Sequence, residues 1–439
     1  MAETFDAIVI GAGVNGLTAA ATLGRAGRRV LVLEAHETLG GQARVVEFAP
    51  GFRSVPLGTE AGWVPQPLIK ELGLKLDRIA ADAPLTCAIE PGEFLAIDTP
   101  TRRGADALRR YSRPDADRWP AFIKQLHHIA GFLAALYQAP APDIETTATN
   151  ELLGFLGLAR RLRALGRSTM TELLRTVPMS VEELLDDWFE TAPLKAALAA
   201  GGVRNLRQGP RSGGTSFVLL HYLTGATAHA PRNATWFRAG PDAFLRAVEA
   251  KAAHHGAVLR ASSRVTQIKV ADDAVTGVVL EGGEEIAARS VLSTADPAHT
   301  LLGLMDPVWL DPDFLHAIRN IKFRGATSVV LYAVDDLPDI PGLTVRAGRG
   351  VVSLARSMSA IERAADAAKY ARLPEQPLIE LTVPTLRWLD AQLAPAGKHV
   401  LAASVHYTPY HLSDCEWNAV RREELAESVT TAIEPFVPG

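Results

Sequence analysis

Cysteine is nearly missing: Cys87 and Cys415 are the only two, and they stand far apart. That excludes a CxxC redox pair, a cysteine-rich zinc site and a disulfide framework, so redox chemistry here does not run through a dithiol. An excess of one charge is missing too. Lys and Arg number 45 against 49 Asp and Glu, a net charge of −4 with no long basic stretch, which makes nucleic acid a poor partner. Long hydrophobic runs are also lacking. The stretch around Phe132 to Tyr137 is interrupted well before the roughly 20 residues that a spanning helix needs. The first residues, MAETFDAIVIGAG, show no basic segment followed by an apolar run and a cleavage site. A cytoplasmic location is therefore expected, with peripheral membrane contact left open. His127-His128 and His254-His255 are adjacent pairs on expected helices, so each pair points to different faces. No HExxH or carboxylate spacing accompanies them, and no metal site is expected.

What is present suits a large globular protein: 439 residues, 48% apolar and 21% charged. At about 100 to 200 residues per domain this length predicts two or three domains. Phe5 to Ile10 is a continuous apolar run, the pattern of a strand buried on both faces of a parallel sheet. Gly11-Ala12-Gly13-Val14-Asn15-Gly16 follows, then an Ala-rich helical stretch to about Ala26 closed by Gly27, then a strand from Arg29 to Leu33 that ends on Glu34. The residue types fit dinucleotide binding. Gly11 permits the tight turn, Gly13 lets backbone approach a pyrophosphate, and Gly16 lets the helix pack on the strands. The phosphates then meet free N–H groups at the helix start. Glu34 stands about 20 residues on, where a carboxylate accepts from ribose hydroxyls and repels a ribose phosphate, so NADP is disfavoured. Taken alone, GxGxxG also describes a ligand-free turn; the flanking strands and terminal acid argue for the dinucleotide.

Soon after Glu34-Ala35 comes Leu39-Gly40-Gly41-Gln42-Ala43-Arg44. With Glu34, this resembles the flavin-binding start of the phytoene desaturase and amine oxidase superfamily. The resemblance implies FAD, with Gly40, Gly41 and Gln42 running along its diphosphate and ribityl chain. Pro50-Gly51-Phe52-Arg53, GVVLEGGEEIAARSVLSTADPAHTLLGLMDP, IRNIKFRGATSVV and LAPAGKHVLAASVHYTPY are similar to the pyridine-nucleotide-disulfide-oxidoreductase-domain-containing protein 2 branch of that superfamily. The likeness runs from about residue 5 to the end.

The implied fold is α/β: a discontinuous Rossmann-like FAD-binding domain with an inserted α+β substrate domain that contains an antiparallel sheet and a helical region. Helical periodicity dominates from Gly104 to about Leu223, and a helix follows from Pro241 to His255. Strands are expected at 257–261, 264–270, 274–281 and near 290–293, then at 327–334, 378–383 and 399–407, with helices near 310–319 and 421–433. The expected division is 1–80 and 237–300 for the FAD domain, and 81–236 and 301–439 for the substrate domain. Relatives continue past Val437-Pro438-Gly439 into a flavin-contacting segment, so the resemblance implies that this segment is absent here.

Val265 matches a position that meets the adenine through its backbone; it reads equally well as a plain strand residue. Where relatives carry a Gly-Gly-Met-Gly-type turn, this chain has Gly240-Pro241-Asp242-Ala243, so Gly240 alone carries over, and Pro241 is explained as the first helical residue. His221 resembles a residue of the cavity lining near the flavin, or else it is a buried structural histidine. Phe155, Leu158, Leu162 and Leu165, with Arg160, Arg161, Arg163 and Arg167 largely between them, form a basic amphipathic helix. That helix is either a surface helix packed on its own domain or a docking face for anionic lipid or for a membrane-dissolved substrate.

The expected activity is FAD-dependent removal of hydride from a hydrophobic small molecule, with catalytic residues unassigned beyond His221. The rivals are a flavin-binding regulatory or scaffolding protein without turnover and an NAD-dependent dehydrogenase, which fits Glu34 but not the Gly40-Gly41 loop. The pattern leaves the oligomeric state open.

Overall fold

The computed structural model describes residues 4–56, 63–99, 101–139, 149–337, 340, 343–389 and 391–438. Two sheets organise it. The first is parallel and four-stranded, in the order Val291–Ser293, β1 (Ala7–Ile10), β2 (Val30–Leu33), Val258–Arg260. All eight residues of β1 and β2 are buried, which is why both read as unbroken apolar runs. Helix α1 (Val14–Arg25) packs with Ala243–His254 on one face of this sheet, around Val9, Leu17, Val32 and Val248. The other face carries Ile8, Ile10, Leu31 and Leu33 against an antiparallel meander formed by Val265–Ala271, Ala274–Leu280 and Glu285–Ala287. The sheet is thus sandwiched between helices and a second layer of strands, and its carboxyl edge stays open, the place where ligands bind in such sheets.

The second sheet is six-stranded, in the order Thr327–Val334, His399–His406, Leu378–Thr382, Val351–Ser353, Leu85–Glu90, Glu93–Ile97. Its neighbours pair antiparallel except for Val351–Ser353 with Leu85–Glu90. One face packs Ile379, Leu381, Ala403 and Val405 against Leu425, Val429 and Ile433 of the Ala419–Ile433 helix. The other face meets a helical layer built around Trp119, Phe122 and Phe189. On that inner side Arg232 pairs with Glu380 through both guanidinium nitrogens, Nη2 to Oε2 at 2.7 Å, and His406 Nε2 lies 3.0 Å from the same carboxylate.

Helices occupy Thr101–Leu108, Arg113–Leu136 and a series ending at Thr215–Tyr222, in the part of the chain where helical periodicity dominates. A further helix, Met358–Lys369, lies within 301–439, where helices were expected only near 310–319 and 421–433. Met358, Ile361, Ala364, Ala365 and Ala368 bury one face of it, and Ser357 caps its start. Its short alanines hide the helical period that longer apolar residues display.

The basic amphipathic segment is two helices, Thr149–Ala164 and Gly166–Thr176, broken where Gly166 takes φ +77°. Arg160, Arg161, Arg163 and Arg167 are exposed, while Leu162 and Leu165 are half-buried against the helical core. The side chain of Phe155 lies outside the described residues. Among the described residues, no helix is long and apolar enough to cross a membrane.

Candidate functional site

The open carboxyl edge of the parallel sheet holds a cleft of about 1050 Å³. Its floor is the turn from β1 into α1. Gly11 leaves β1 with φ +94°, and a Cβ there would stand 2.6 Å from Thr294 Oγ1. Thr294 itself follows the Val291–Ser293 strand and donates to Ile10 O at 2.9 Å, tying the two strand ends together. Gly16 is close-packed: a Cβ would lie 2.0 Å from Gly11 O and 3.3 Å from Val9 Cγ1. Only glycine lets α1 cross the strand end at this distance. Gly13 is the opposite case, since a Cβ there would meet nothing within 4 Å. Space above Gly13 is therefore open, and α1 begins there with no side-chain cap and no acidic residue in its first turn. Unopposed N–H groups with the positive end of the helix dipole suit an anion.

Gly40-Gly41 is built onto this floor. Gly40 N–H donates to Ala12 O at 2.9 Å, and Gly13 and Gly40 form an isolated parallel bridge. Gly40 takes φ +121°, and a Cβ on it would strike Leu245 Cδ2 at 2.5 Å. A Cβ on Gly41 would come 3.3 Å from Gly13 Cα. The two glycine loops thus form one surface.

Glu34 directly follows β2 and is 6% exposed. Its Oε2 accepts from Ala12 N–H at 2.9 Å and its Oε1 from His36 N–H at 3.0 Å. Each oxygen keeps a second lone-pair direction for a hydroxyl donor. The carboxylate therefore shapes the floor as well as facing the cleft, a role that motif spacing does not reveal. Ser263 N–H donates to Glu34 O at 2.7 Å, bringing the stretch before the meander alongside.

The structure brings Gly11, Gly13, Val14, Asn15 and Glu34 together around this cleft. Ala35, Gly40, Gly41, Gln42 and Val265 line it as well. Gly16 lies beneath the lining, in the packing of α1 on the sheet. Gly240 is not among the lining residues, although Pro241, Phe244 and Leu245 beside it are. It takes φ +125°, and its neighbours are Asp242 and Arg246. Asp242 is the N-cap of the following helix and Ala243 its first residue, so Pro241 stands outside the helix rather than at its first position.

His221 is not in the lining either, and it is exposed rather than buried. Its Nδ1 lies 2.9 Å from Tyr137 Oη, the two rings meet edge-on, and Tyr137 in turn packs 6.0 Å from Trp63, which does line the cleft. Apolar periodicity placed His221 on a helix but carried no account of the aromatic layer between it and the cleft. Sequence reasoning also missed Thr294, Trp63 and Phe237, all of which line the cleft. A signal existed for Thr294, which directly follows a strand of the parallel sheet. None existed for Trp63 and Phe237, which arrive from other elements. Among the described residues no group of three or more His, Cys, Asp and Glu could hold a metal ion.

These residues fit a dinucleotide cofactor: open space over Gly13, an uncapped helix start, and a buried carboxylate with acceptor capacity left. Comparison with known proteins agrees. The rat protein named pyridine nucleotide-disulfide oxidoreductase domain-containing protein 2 (Rattus norvegicus) is 31% identical over 464 residues, covering 99% of this chain and 79% of its own. A phytoene dehydrogenase of Streptomyces griseus is 27% identical, covering 90% of this chain and 71% of its own. The crystal structure of an oxidoreductase from Methanosarcina mazei shares the fold at a TM-score of 0.59 and 15% identity, covering 99% of this chain and 85% of its own. Residues 15–438 match the family described as flavin containing amine oxidoreductase. The chain belongs to that family, as an FAD-dependent oxidoreductase.

Proposed function

We propose that this protein removes hydride from a hydrophobic small molecule, with the cleft at the carboxyl edge of the parallel sheet as the FAD seat. The observation that carries the reading is the continuous glycine surface over β1, where Gly40 is hydrogen-bonded to Ala12 and bridged to Gly13. The first turn of α1, at Val14 and Asn15, faces the diphosphate, and Gly16 beneath them lets the helix pack close to the sheet. Glu34 accepts from the ribose hydroxyls, with Ala35 beside it. Gly40, Gly41 and Gln42 follow the ribityl chain, and Val265 lies against the adenine through its backbone. When bound, FAD supplies a hydride acceptor at its isoalloxazine N5. The protein's own task is to position the donor and exclude water, and the lining residues Trp63, Val64, Leu68, Phe237 and Phe244 offer an apolar wall for that. The similarity to a protein named phytoene dehydrogenase supports a lipophilic donor. Peripheral membrane contact through the exposed Arg160, Arg161, Arg163 and Arg167 belongs to the same proposal, and charge reversal of these residues should lower co-sedimentation with anionic liposomes.

The purified protein should show a flavin spectrum that bleaches when a lipophilic donor is added under anaerobic conditions. A protein that retains FAD stoichiometrically, is reduced by dithionite and is reduced by no lipophilic donor would instead fit a flavin-binding regulator without turnover.

A further inference from the structure

A second cleft, of about 1110 Å³, opens on the other side of the segment that leaves the Val291–Ser293 strand. Thr294, Ala295 and His299 line the first cleft, whereas Asp296 and Ala298 line the second, so one short stretch of chain is the wall between them. The second cleft is basic. Arg207, Lys322, Arg324 and Lys369 line it with His411, against the single carboxylate of Asp296. Lys369 is neutralised by Asp366 at 2.8 Å and Glu362 at 3.4 Å. Asp296 Oδ1 is engaged by the His299 N–H at 2.8 Å. For Arg207, Lys322 and Arg324 there is no ion-pair partner among the described residues, and Arg207 Nε is buried without a hydrogen-bond acceptor. Leu206, Phe323 and Tyr410 add apolar surface to the same lining.

Three cations without ion-pair partners around one cavity repel each other, and a buried donor without an acceptor destabilises the empty cleft further. A ligand oxyanion removes both costs, and the planar guanidinium fork matches the two oxygens of a carboxylate or phosphate. A neutral hydrocarbon would leave Arg207 Nε without an acceptor and would offer the exposed Lys322 and Arg324 no counter-charge. We propose that the second cleft seats an oxyanion, the carboxylate or phosphate head of an amphipathic substrate whose apolar part reaches the first cleft past the Thr294 to His299 wall. This rests on the lipophilic donor of the preceding section and narrows it from a hydrocarbon to a lipophile with an anionic end.

Calorimetric titration of the FAD-loaded protein with dodecanoate, dodecyl phosphate, dodecanol and inorganic phosphate tests it. At least one alkyl anion should bind about tenfold or more tighter than the alcohol. That margin should disappear in Arg207→Gln, and also in the double variant Lys322→Gln with Arg324→Gln, whose side chains are exposed and leave folding intact. Raised ionic strength should weaken the anions and not the alcohol. Whichever alkyl anion binds tighter identifies the head group. Equal binding of anions and alcohol, or anion binding unchanged in both variants, overturns the proposal. Inorganic phosphate binding as tightly as dodecyl phosphate overturns the amphipathic assignment. Calorimetry needs no turnover, so anion binding by a protein that no donor reduces would count against the hydride reaction alone. Reduction by neutral lipophiles with no anion binding would count against the oxyanion seat alone.

Discussion

Glu34→Gln keeps the size of the side chain and removes its charge, so its effect can be worked from two distances. The carboxylate accepts from Ala12 N–H at 2.9 Å and from His36 N–H at 3.0 Å. An amide accepts at one oxygen only, and the remaining N–H then faces an NH2 donor. A hydrogen bond to a charged group contributes about 1.5–3 kcal/mol, so the cofactor-free variant should lose about that much stability. Unfolding entropy of about 2.1 cal/mol/K per residue, summed over the chain as one cooperative unit, makes 1 kcal/mol worth about 1 °C in Tm. The apo Tm should therefore fall by about 1.5–3 °C. In the proposed FAD seat a ribose hydroxyl on the same carboxylate is a further charge-assisted bond of about 1.5–3 kcal/mol, so the FAD Kd should rise about 10- to 150-fold. Scanning fluorimetry of the apoprotein and titration of flavin fluorescence separate the two effects. An unchanged apo Tm would refute the backbone-holding argument. A lowered Tm with wild-type FAD affinity would confine Glu34 to holding the loop.

The two glycines Gly13 and Gly16 should differ in their effect on apo stability. Gly13→Ala places a methyl in open space, so apo stability should stay within about 0.5 kcal/mol while FAD retention on gel filtration falls. Gly16→Ala drives a methyl to 2.0 Å from Gly11 O and should cost about 1–3 kcal/mol or more, visible as a lower apo Tm as well as lost FAD. At the buried pair, burial alone would push the Glu380 carboxyl up, but the Arg232 guanidinium and His406 overrule it and hold it well below the usual carboxylate range. A depressed folded value stabilises above the unfolded value, about 4.3, and is lost as pH falls through the folded one. Arg232→Met should thus cost about 3–5 kcal/mol near neutrality, with the gap to wild type shrinking below about pH 4.3 in urea melts. A gap independent of pH would refute the assignment to Glu380. Burial pushes the Cys87 thiol up to about 12, so a thiol reagent at neutral pH should label the half-buried Cys415 in the native protein and reach Cys87 only in denaturant; two fast-reacting thiols in the native state would contradict the packing.

The elements easiest to read from the residues were those whose local pattern is also their global role. β1 and β2 are apolar throughout because both faces are covered. The glycines between β1 and α1 are demanded by contacts within a few residues of themselves, as Gly16 against Gly11 shows. Met358–Lys369 was harder, because alanines bury a helix face with little hydrophobic contrast. The amphipathic arginine segment looked like one helix because its period continues across Gly166, yet the backbone turns left-handed there. His221 shows a different limit: its distance from the cleft is set by Tyr137 and Trp63, which arrive from far along the chain.

By itself the sequence determined the dinucleotide floor: the strand, the turn glycines, the uncapped helix start and Glu34 are short-range features, legible because steric and hydrogen-bonding demands act between near neighbours. Only the tertiary structure decided what that floor faces. Thr294 locks the strand ends, Trp63 and Phe237 wall the cleft, and Arg207 meets the Lys322 to Arg324 stretch at a second cavity from more than a hundred residues away. Such convergence has no local signature, because loop closure over a hundred residues or more costs little extra entropy and leaves no periodic trace in the chain.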